Sequence, residues 1–226
     1  QSMNKNSEKH SILKNNKVNL ALIGMSGAGK SYWSKKMKAK GYRWYNCDDM
    51  IAERLGPKLI GNGKTTLKLA QWMGQPFSEG YIKAEKIYLE LEEAVVEQIC
   101  YELENSVAIN NPAVVDTTGS LIYLQKKLLH RLRALTKMVY LRLPEEKYDQ
   151  LFENFINDPK PVIWKYKFNP LEGESSQNAL RRCYKDLLAF RNERYSSLAD
   201  NVLDYSFHHS PNRKVDEFLE LTERNF

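Results

Sequence analysis

Gly24-Met25-Ser26-Gly27-Ala28-Gly29-Lys30-Ser31 decides how this 226-residue chain is read. The stretch satisfies G-x-x-x-x-G-K-[ST] at every position, the Walker A pattern of a phosphate-binding loop. It follows the apolar, β-prone run Val18–Ile23 and opens a helix-like segment from Lys30 to about Lys40, stopped by Gly41. That strand-loop-helix context is the one the motif requires. Glycines let successive backbone N–H groups curl around phosphate oxygens, and the helix N-terminus adds partial positive charge. Lys30 can reach β- and γ-phosphates, and the Ser31 hydroxyl can ligate Mg²⁺. The loop from Gly24 to Ser31, with Tyr32 after it, is therefore the expected nucleotide-binding segment. A dinucleotide fingerprint fits less well, because the spacing is not G-x-G-x-x-G and leaves Lys30 without a role.

Working outward, short apolar runs alternate with helical patterns. Tyr42–Tyr45, Ala113–Asp116, Met138–Leu143 and Leu203–Phe207 read as further strands. Met50–Leu55, Thr65 to Gly74, Ser78 to about Asn105, Leu124–Leu135, a segment after Pro144 and Ser176–Leu198 read as helices, with a last one opened by Ser210-Pro211. The longest carries Tyr81, Ala84, Ile87, Tyr88, Leu91, Ala94, Val95 and Ile99 at three- and four-residue steps. Alternation of this kind predicts an α/β domain with a mostly parallel sheet. Residues 157–175 hold Pro161, Pro170, Gly173 and several lysines and read as a loop, of the length that often forms a lid.

Composition bounds the rest. Hydrophobic residues make up 42% and charged residues 27%, ordinary for a globular domain. No apolar run approaches the ~20 residues of a membrane span. Of the net charge of +6, half comes from residues 1–17, where Lys5, Lys9, Lys14 and Lys17 face only Glu8. That segment reads as a flexible leader, with Gln1-Ser2-Met3 as a cleavage remnant, before a single domain at 18–226. The residual basicity comes with no recognised nucleic-acid motif, so neither nucleic acid nor membrane is an expected partner. Cys47, Cys100 and Cys183 are widely spaced with no CxxC, which favours reduced thiols and a cytoplasmic setting over zinc or a disulfide.

Acidic residues stand where strands end. In a parallel sheet such positions face the ligand crevice. Asp48, in Asn46-Cys47-Asp48-Asp49, can accept a proton from a substrate hydroxyl; the competing reading makes Asp48 or Asp49 a helix N-cap. Asp116 ends an apolar strand, where an acid can hold Mg²⁺, and Thr117-Thr118-Gly119-Ser120 after it is small and polar. Trp164 sits among Lys160, Lys165 and Lys167, and either closes over a ligand or packs the lid.

Together these pieces resemble the shikimate kinase family of P-loop kinases. The resemblance runs from about Val18 to Leu221. It rests on LIGMSGAGKS, Asp48-x-x-Ile51-x-Glu53-Arg54-x-Gly56, Gly74 with Tyr81-x-x-x-Glu85, VVDTTGS, MVYL, Lys160-Pro161 and Arg191-x-x-x-Tyr195-x-x-Leu198-Ala199. It implies a three-layer fold with a five-stranded parallel sheet and a lid, and transfer of the ATP γ-phosphate to a hydroxyl of a small, anionic acceptor. It places Asp48 beside the acceptor hydroxyl, Arg191 on the acceptor's carboxylate, and Lys160 where a lid arginine approaches the transferred phosphate. The expected sites are thus Lys30, Asp48 and Lys160 for catalysis, Asp48, Thr117, Thr118, Gly119 and Arg191 for the acceptor, and Ser31 and Asp116 for Mg²⁺, in a monomer or weak homodimer. His208 and His209 fall where the family contacts adenine.

This sequence departs from the family at several of these points. Asn46 replaces the first acid of Asp-x-Asp, and Tyr81-Ile82 replaces Phe-Arg, leaving Lys83 as the nearest cation. Thr117-Thr118-Gly119 replaces a triple glycine, and lysines replace the lid arginine, losing bidentate phosphate geometry. These departures admit two alternatives: a kinase for another hydroxylated acid, sugar or nucleotide, and a nucleotide-binding regulator without phosphotransfer.

Overall fold

The computed structural model describes residues 18–106 and 111–223. The leader expected at 1–17 lies outside the described residues. Five parallel strands form one sheet: β1 (Leu20–Ile23), β2 (Arg43–Asn46), β3 (Ala113–Asp116), β4 (Lys137–Leu141) and β5 (Asn201–Leu203), in the order β2-β3-β1-β4-β5. Every residue of β1, β3 and β4 is buried, which explains why these strands read as continuous apolar runs rather than alternating ones. Helices cover both faces. They are α1 (Lys30–Ala39), α2 (Cys47–Leu55), α3 (Thr65–Met73), α4 (Tyr81–Asn105), α5 (Lys126–Leu135), α6 (Tyr148–Asn157), α7 (Ser176–Leu198), the single turn α8 (Tyr205–His208) and α9 (Val215–Glu223). Among the described residues no helix is long and apolar enough to cross a membrane.

The register fixes what the strand ends can do. Asp116 pairs with Leu22 of β1 on one side and with Asn46 of β2 on the other. The phosphate loop, Asn46 and Asp116 therefore emerge together at the carboxyl edge of the sheet, at the point where chain order reverses between β1 and β3. Asn19, just before β1, locks this arrangement from below. Its amide oxygen accepts from the Ala113 N–H at 2.8 Å, and its amide nitrogen donates to the Leu135 carbonyl at 3.2 Å.

One expectation needs correction, and one open alternative closes. The last strand is Asn201–Leu203, not Leu203–Phe207. The Asp204 carbonyl accepts from the N–H groups of Phe207 and His208, so these residues turn into α8 instead of extending the sheet. Asn46, rather than Asp48 or Asp49, caps α2: its side chain accepts from the Asp49 N–H at 3.2 Å, and the helix starts at Cys47.

Trp33 fastens the phosphate-loop helix to the C-terminal part of the chain. It is 1% exposed, packs 4.7 Å from the Phe218 ring of α9 and donates its indole N–H to the His208 carbonyl at 3.1 Å. Trp33→Ala would leave both a large cavity and an orphaned carbonyl. It is expected to lower unfolding free energy by about 3–5 kcal/mol in urea titrations.

Candidate functional site

The site is built on the phosphate loop. Gly24 adopts φ +141°, and a Cβ there would lie 3.0 Å from the Leu141 carbonyl oxygen, so the loop leaves β1 along a path open to glycine alone. The loop folds back over Lys30, which is almost fully buried at the start of α1. The Lys30 ammonium donates to the carbonyls of Gly24 and Met25 at 2.8 and 2.9 Å. Burial lowers its pKa, while the facing carboxylates Asp116 and Asp48 oppose that shift.

These groups share one cleft of about 320 Å³. It is lined by Ser26, Gly27, Gly29, Lys30, Ser31 and Tyr32 from the loop side, by Asp48, Asp116 and Thr117 from the strand ends, and by Lys160. Of the other loop residues, Met25 and Ala28 are buried in the core beneath it. A second cavity of about 330 Å³ adjoins it across Ser26, Gly27, Asp158 and Lys160. Lys160 thus stands on the wall between the two.

Asp48 is half-buried and faces the cleft. Its Oδ1 accepts from the Tyr88 hydroxyl of α4 at 2.9 Å. Burial raises its pKa, against the pull of the Tyr88 hydrogen bond and the Lys30 and Lys160 charges. Asp116 is 4% exposed, and its Oδ2 has no hydrogen-bond partner. Burial pushes its pKa up to about 6, opposed by Lys30, Ser31 and Trp44 nearby. A buried, unsatisfied carboxylate oxygen beside the Ser31 hydroxyl suits a hard divalent cation. Among the described residues no cluster of three His, Cys, Asp or Glu side chains could hold a metal alone. A Mg²⁺ here would therefore draw its remaining ligands from water and phosphate, its common mode of binding. Asn46 spends its side-chain oxygen on the α2 cap.

Thr117 and Thr118 diverge. Thr117 donates its hydroxyl to the Leu22 carbonyl at 2.8 Å and stays at the cleft. Thr118 turns inward to Glu92 of α4, which also receives the Ser120 hydroxyl at 2.6 Å. Glu92 is fully buried, and burial pushes its pKa up to about 7 despite these hydrogen bonds. Gly119 is the contact point with Arg191: a Cβ there would lie 3.0 Å from a guanidinium nitrogen and 3.7 Å from the Ser26 N–H. Arg191 is 2% exposed, and among the described residues it forms no ion pair with a carboxylate. It donates to the Ile163 carbonyl at 2.6 Å, lies 5.7 Å from the Tyr123 ring, and leaves its Nε without a partner.

The segment 157–175 is only partly the open loop the sequence suggested. Val162, Ile163 and Trp164 are buried. Trp164 does not cover the cleft; it packs among Phe155, Phe168 and Tyr184 at centroid distances of 6.3, 5.8 and 5.9 Å. Glu85 of α4 accepts from the N–H groups of Trp164 and Lys165 at 3.2 and 3.0 Å. Tyr81 adds contacts at 2.9 Å to the Val162 carbonyl and the Trp164 N–H. Ile82 and Lys83 beside it are exposed and leave the cleft without a cation from that helix. His208 is also structural: it is buried, contacts the Arg142 carbonyl at 2.9 Å, and has its pKa lowered by burial, while His209 stacks on Tyr205 at 4.4 Å.

The sequence gives Tyr88 only as part of the apolar stripe and Glu85 only within the family motif, and leaves Glu92 unnamed; none of the three carries a site role there, yet a signal for one exists. Tyr81, Glu85, Tyr88, Glu92, Val95 and Ile99 are all buried and recur at steps of four and three. Two acids on the apolar stripe of a helix are the anomaly that marks buried polar work.

The fold is that of the shikimate kinases. The chain superposes on shikimate kinase from Acinetobacter baumannii in complex with shikimate, at TM-score 0.57 and 18% identity, over 90% of this chain and 89% of that one. Shikimate kinase from Bacteroides thetaiotaomicron gives TM-score 0.57 and 18% identity, over 91% and 98%. The Aquifex aeolicus enzyme gives 0.50 and 16%, over 90% and 92%. No protein-family model matches the chain, and no curated protein matches its sequence.

Glu92 offers a direct check on the buried network. Its native pKa lies above the ordinary 4.5, so the native state keeps a proton that the unfolded chain has lost. Its contribution to stability is then complete below about pH 4.5 and is lost as pH rises through about 7. Glu92→Gln does not ionise and escapes this loss. Its stability relative to the parent protein is expected to rise by about 2 kcal/mol between pH 5 and pH 8 in paired urea titrations. A difference that stays flat across this range would contradict the assignment.

Proposed function

We propose that this protein is an ATP-dependent kinase that transfers the γ-phosphate to a hydroxyl of a small, anionic acceptor. The observation that carries the reading is the convergence of Lys30, Asp48, Asp116 and Lys160 on one cleft beside a complete phosphate loop. The shared fold supports it at the level of architecture.

In this reading the loop N–H groups and the start of α1 hold the β- and γ-phosphates. Lys30 exchanges its two carbonyl acceptors for phosphate oxygens and stabilises charge as the bond to the leaving ADP oxygen breaks. Asp48 accepts the acceptor's hydroxyl proton while that oxygen forms its bond to phosphorus. Burial makes Asp48 a stronger base than a solvated aspartate, and the Tyr88 hydroxyl fixes which oxygen faces the acceptor. Ser31 and Asp116 would hold Mg²⁺, which when bound offsets phosphate charge. Lys160 brings a further cation to the cleft wall. Arg191, buried without a carboxylate partner, supports an anionic group on the acceptor, because a lone buried guanidinium favours an incoming anion.

The acceptor side argues for a hydroxylated acid other than shikimate as the first class to screen. Thr118 and Ser120 are tied to Glu92, and the helix carrying Tyr81 offers the cleft no second cation. That combination gives a single arginine for anion recognition.

Lys30→Ala is expected to abolish phosphoryl transfer while circular dichroism shows an intact fold. Full ATP turnover in that variant would refute the kinase reading. Asp48→Asn is expected to lower kcat by about 10²–10⁴-fold, with ATP binding by calorimetry unchanged. Loss of nucleotide binding instead would place Asp48 on the wrong substrate.

A further inference from the structure

A third concavity, of about 600 Å³, lies apart from the phosphate loop, between the turn at Leu121–Tyr123, α5 and the C-terminal half of α7. Its size is that of a small-molecule site. Tyr123 and Phe190 stack across its floor with centroids 6.5 Å apart and planes inclined by 21°. Leu124 and Leu129 are buried behind them, and Tyr166 stands at the edge, 68% exposed.

Its charge is one-sided. Lys126, His130, Arg133 and Arg194 line it, and no acidic residue does. Arg133 is paired with Asp200 at 3.2 Å. Among the described residues, Lys126 and Arg194 make no ion pair. Lys167 and Arg194 ride on the Phe190 ring at 4.3 and 5.2 Å, and Lys165 approaches the Tyr123 ring at 5.8 Å. Cations held at ring faces, rather than against carboxylates, keep their charge available to an incoming anion.

We propose that this groove is a second ligand site, for a small aromatic acid. The aromatic body slots against Tyr123 and Phe190, and its carboxylate or sulfonate meets Lys126 and Arg194. A flat apolar ring alone would ignore the basic rim, and inorganic phosphate alone would leave the aromatic floor wet. Only a ligand carrying both features uses the whole surface. The site also touches the proposed acceptor pocket: Tyr123 forms its floor on one side and lies 5.7 Å from the Arg191 guanidinium on the other. Tyr123 is thus the side chain common to the groove and the surroundings of Arg191.

The test uses 8-anilinonaphthalene-1-sulfonate and its uncharged counterpart N-phenyl-1-naphthylamine on the full chain. The sulfonate is expected to bind at one site, about tenfold more tightly than the uncharged probe. Arg194→Glu and Lys126→Glu, both at exposed positions, are each expected to weaken it by about tenfold, and Phe190→Ala by at least as much. Saturating adenylyl imidodiphosphate should leave the sulfonate bound, because the cleft and the groove share no lining residue. Equal binding of both probes, binding unchanged in the charge-reversal variants, or displacement by the nucleotide would each overturn the proposal. So would loss of self-association in Arg194→Glu without loss of probe binding, which would assign the groove to a second copy of the chain.

Discussion

A buried ammonium facing one buried and one half-buried carboxylate sets the terms for everything around it. Lys30 cannot be withdrawn from water without compensation, and the molecule supplies it locally with the Gly24 and Met25 carbonyls and at longer range with Asp116 and Asp48. That need dictates the path of the loop. Gly24 must take a conformation closed to other residues so that its carbonyl can turn back toward the lysine. It also dictates the sheet order, because only a parallel β1–β3 pair in this register delivers Asp116 to the same edge. The charges are poised rather than satisfied: one Asp116 oxygen has no partner, and the lysine's partners are neutral carbonyls.

Much of this was legible in the chain itself. The phosphate loop is readable because its chemistry is local: eight consecutive residues carry both the turn geometry and the functional groups. The strands β1, β3 and β4 are readable because full burial demands unbroken apolar runs. The final strand was misplaced for an equally physical reason. Leu203–Phe207 has the composition of a strand, but the Asp204 carbonyl captures two N–H groups in a helical turn, and no composition rule sees that competition. Residue types alone leave Asp48 open between a helix cap and a proton acceptor; Asn46 takes the cap, and Asp48 faces the cleft.

What sequence reasoning missed lies mostly on α4, whose partners are distant in the chain. Glu85 binds residues about 80 positions later, and Glu92 binds the loop that follows β3. The stripe marks both acids as buried, but nothing local names their partners. Read as an amphipathic helix, α4 is an unremarkable scaffold; read for its two buried acids, it organises both the strand-end loop and the segment after α6. The apolar stripe and the polar anchors are the same face of the same helix, so packing and site geometry stand or fall together.

The grip of Tyr81, Glu85 and Arg191 on residues 162–165 has a mechanical meaning as well. Four backbone groups there are tied to side chains from two long helices, and Lys165 is held at φ +52°, a conformation costly for a residue with a Cβ. Such a stretch acts as a fixed clamp, and displacement of Lys160 must be borne by the few bonds between the end of α6 and Val162. A lever that short sweeps a small arc. It keeps Lys160 at the wall that the two adjoining cavities share. Pro159 and Pro161 flank Lys160 on this tether, and their rings restrict the torsions open to it.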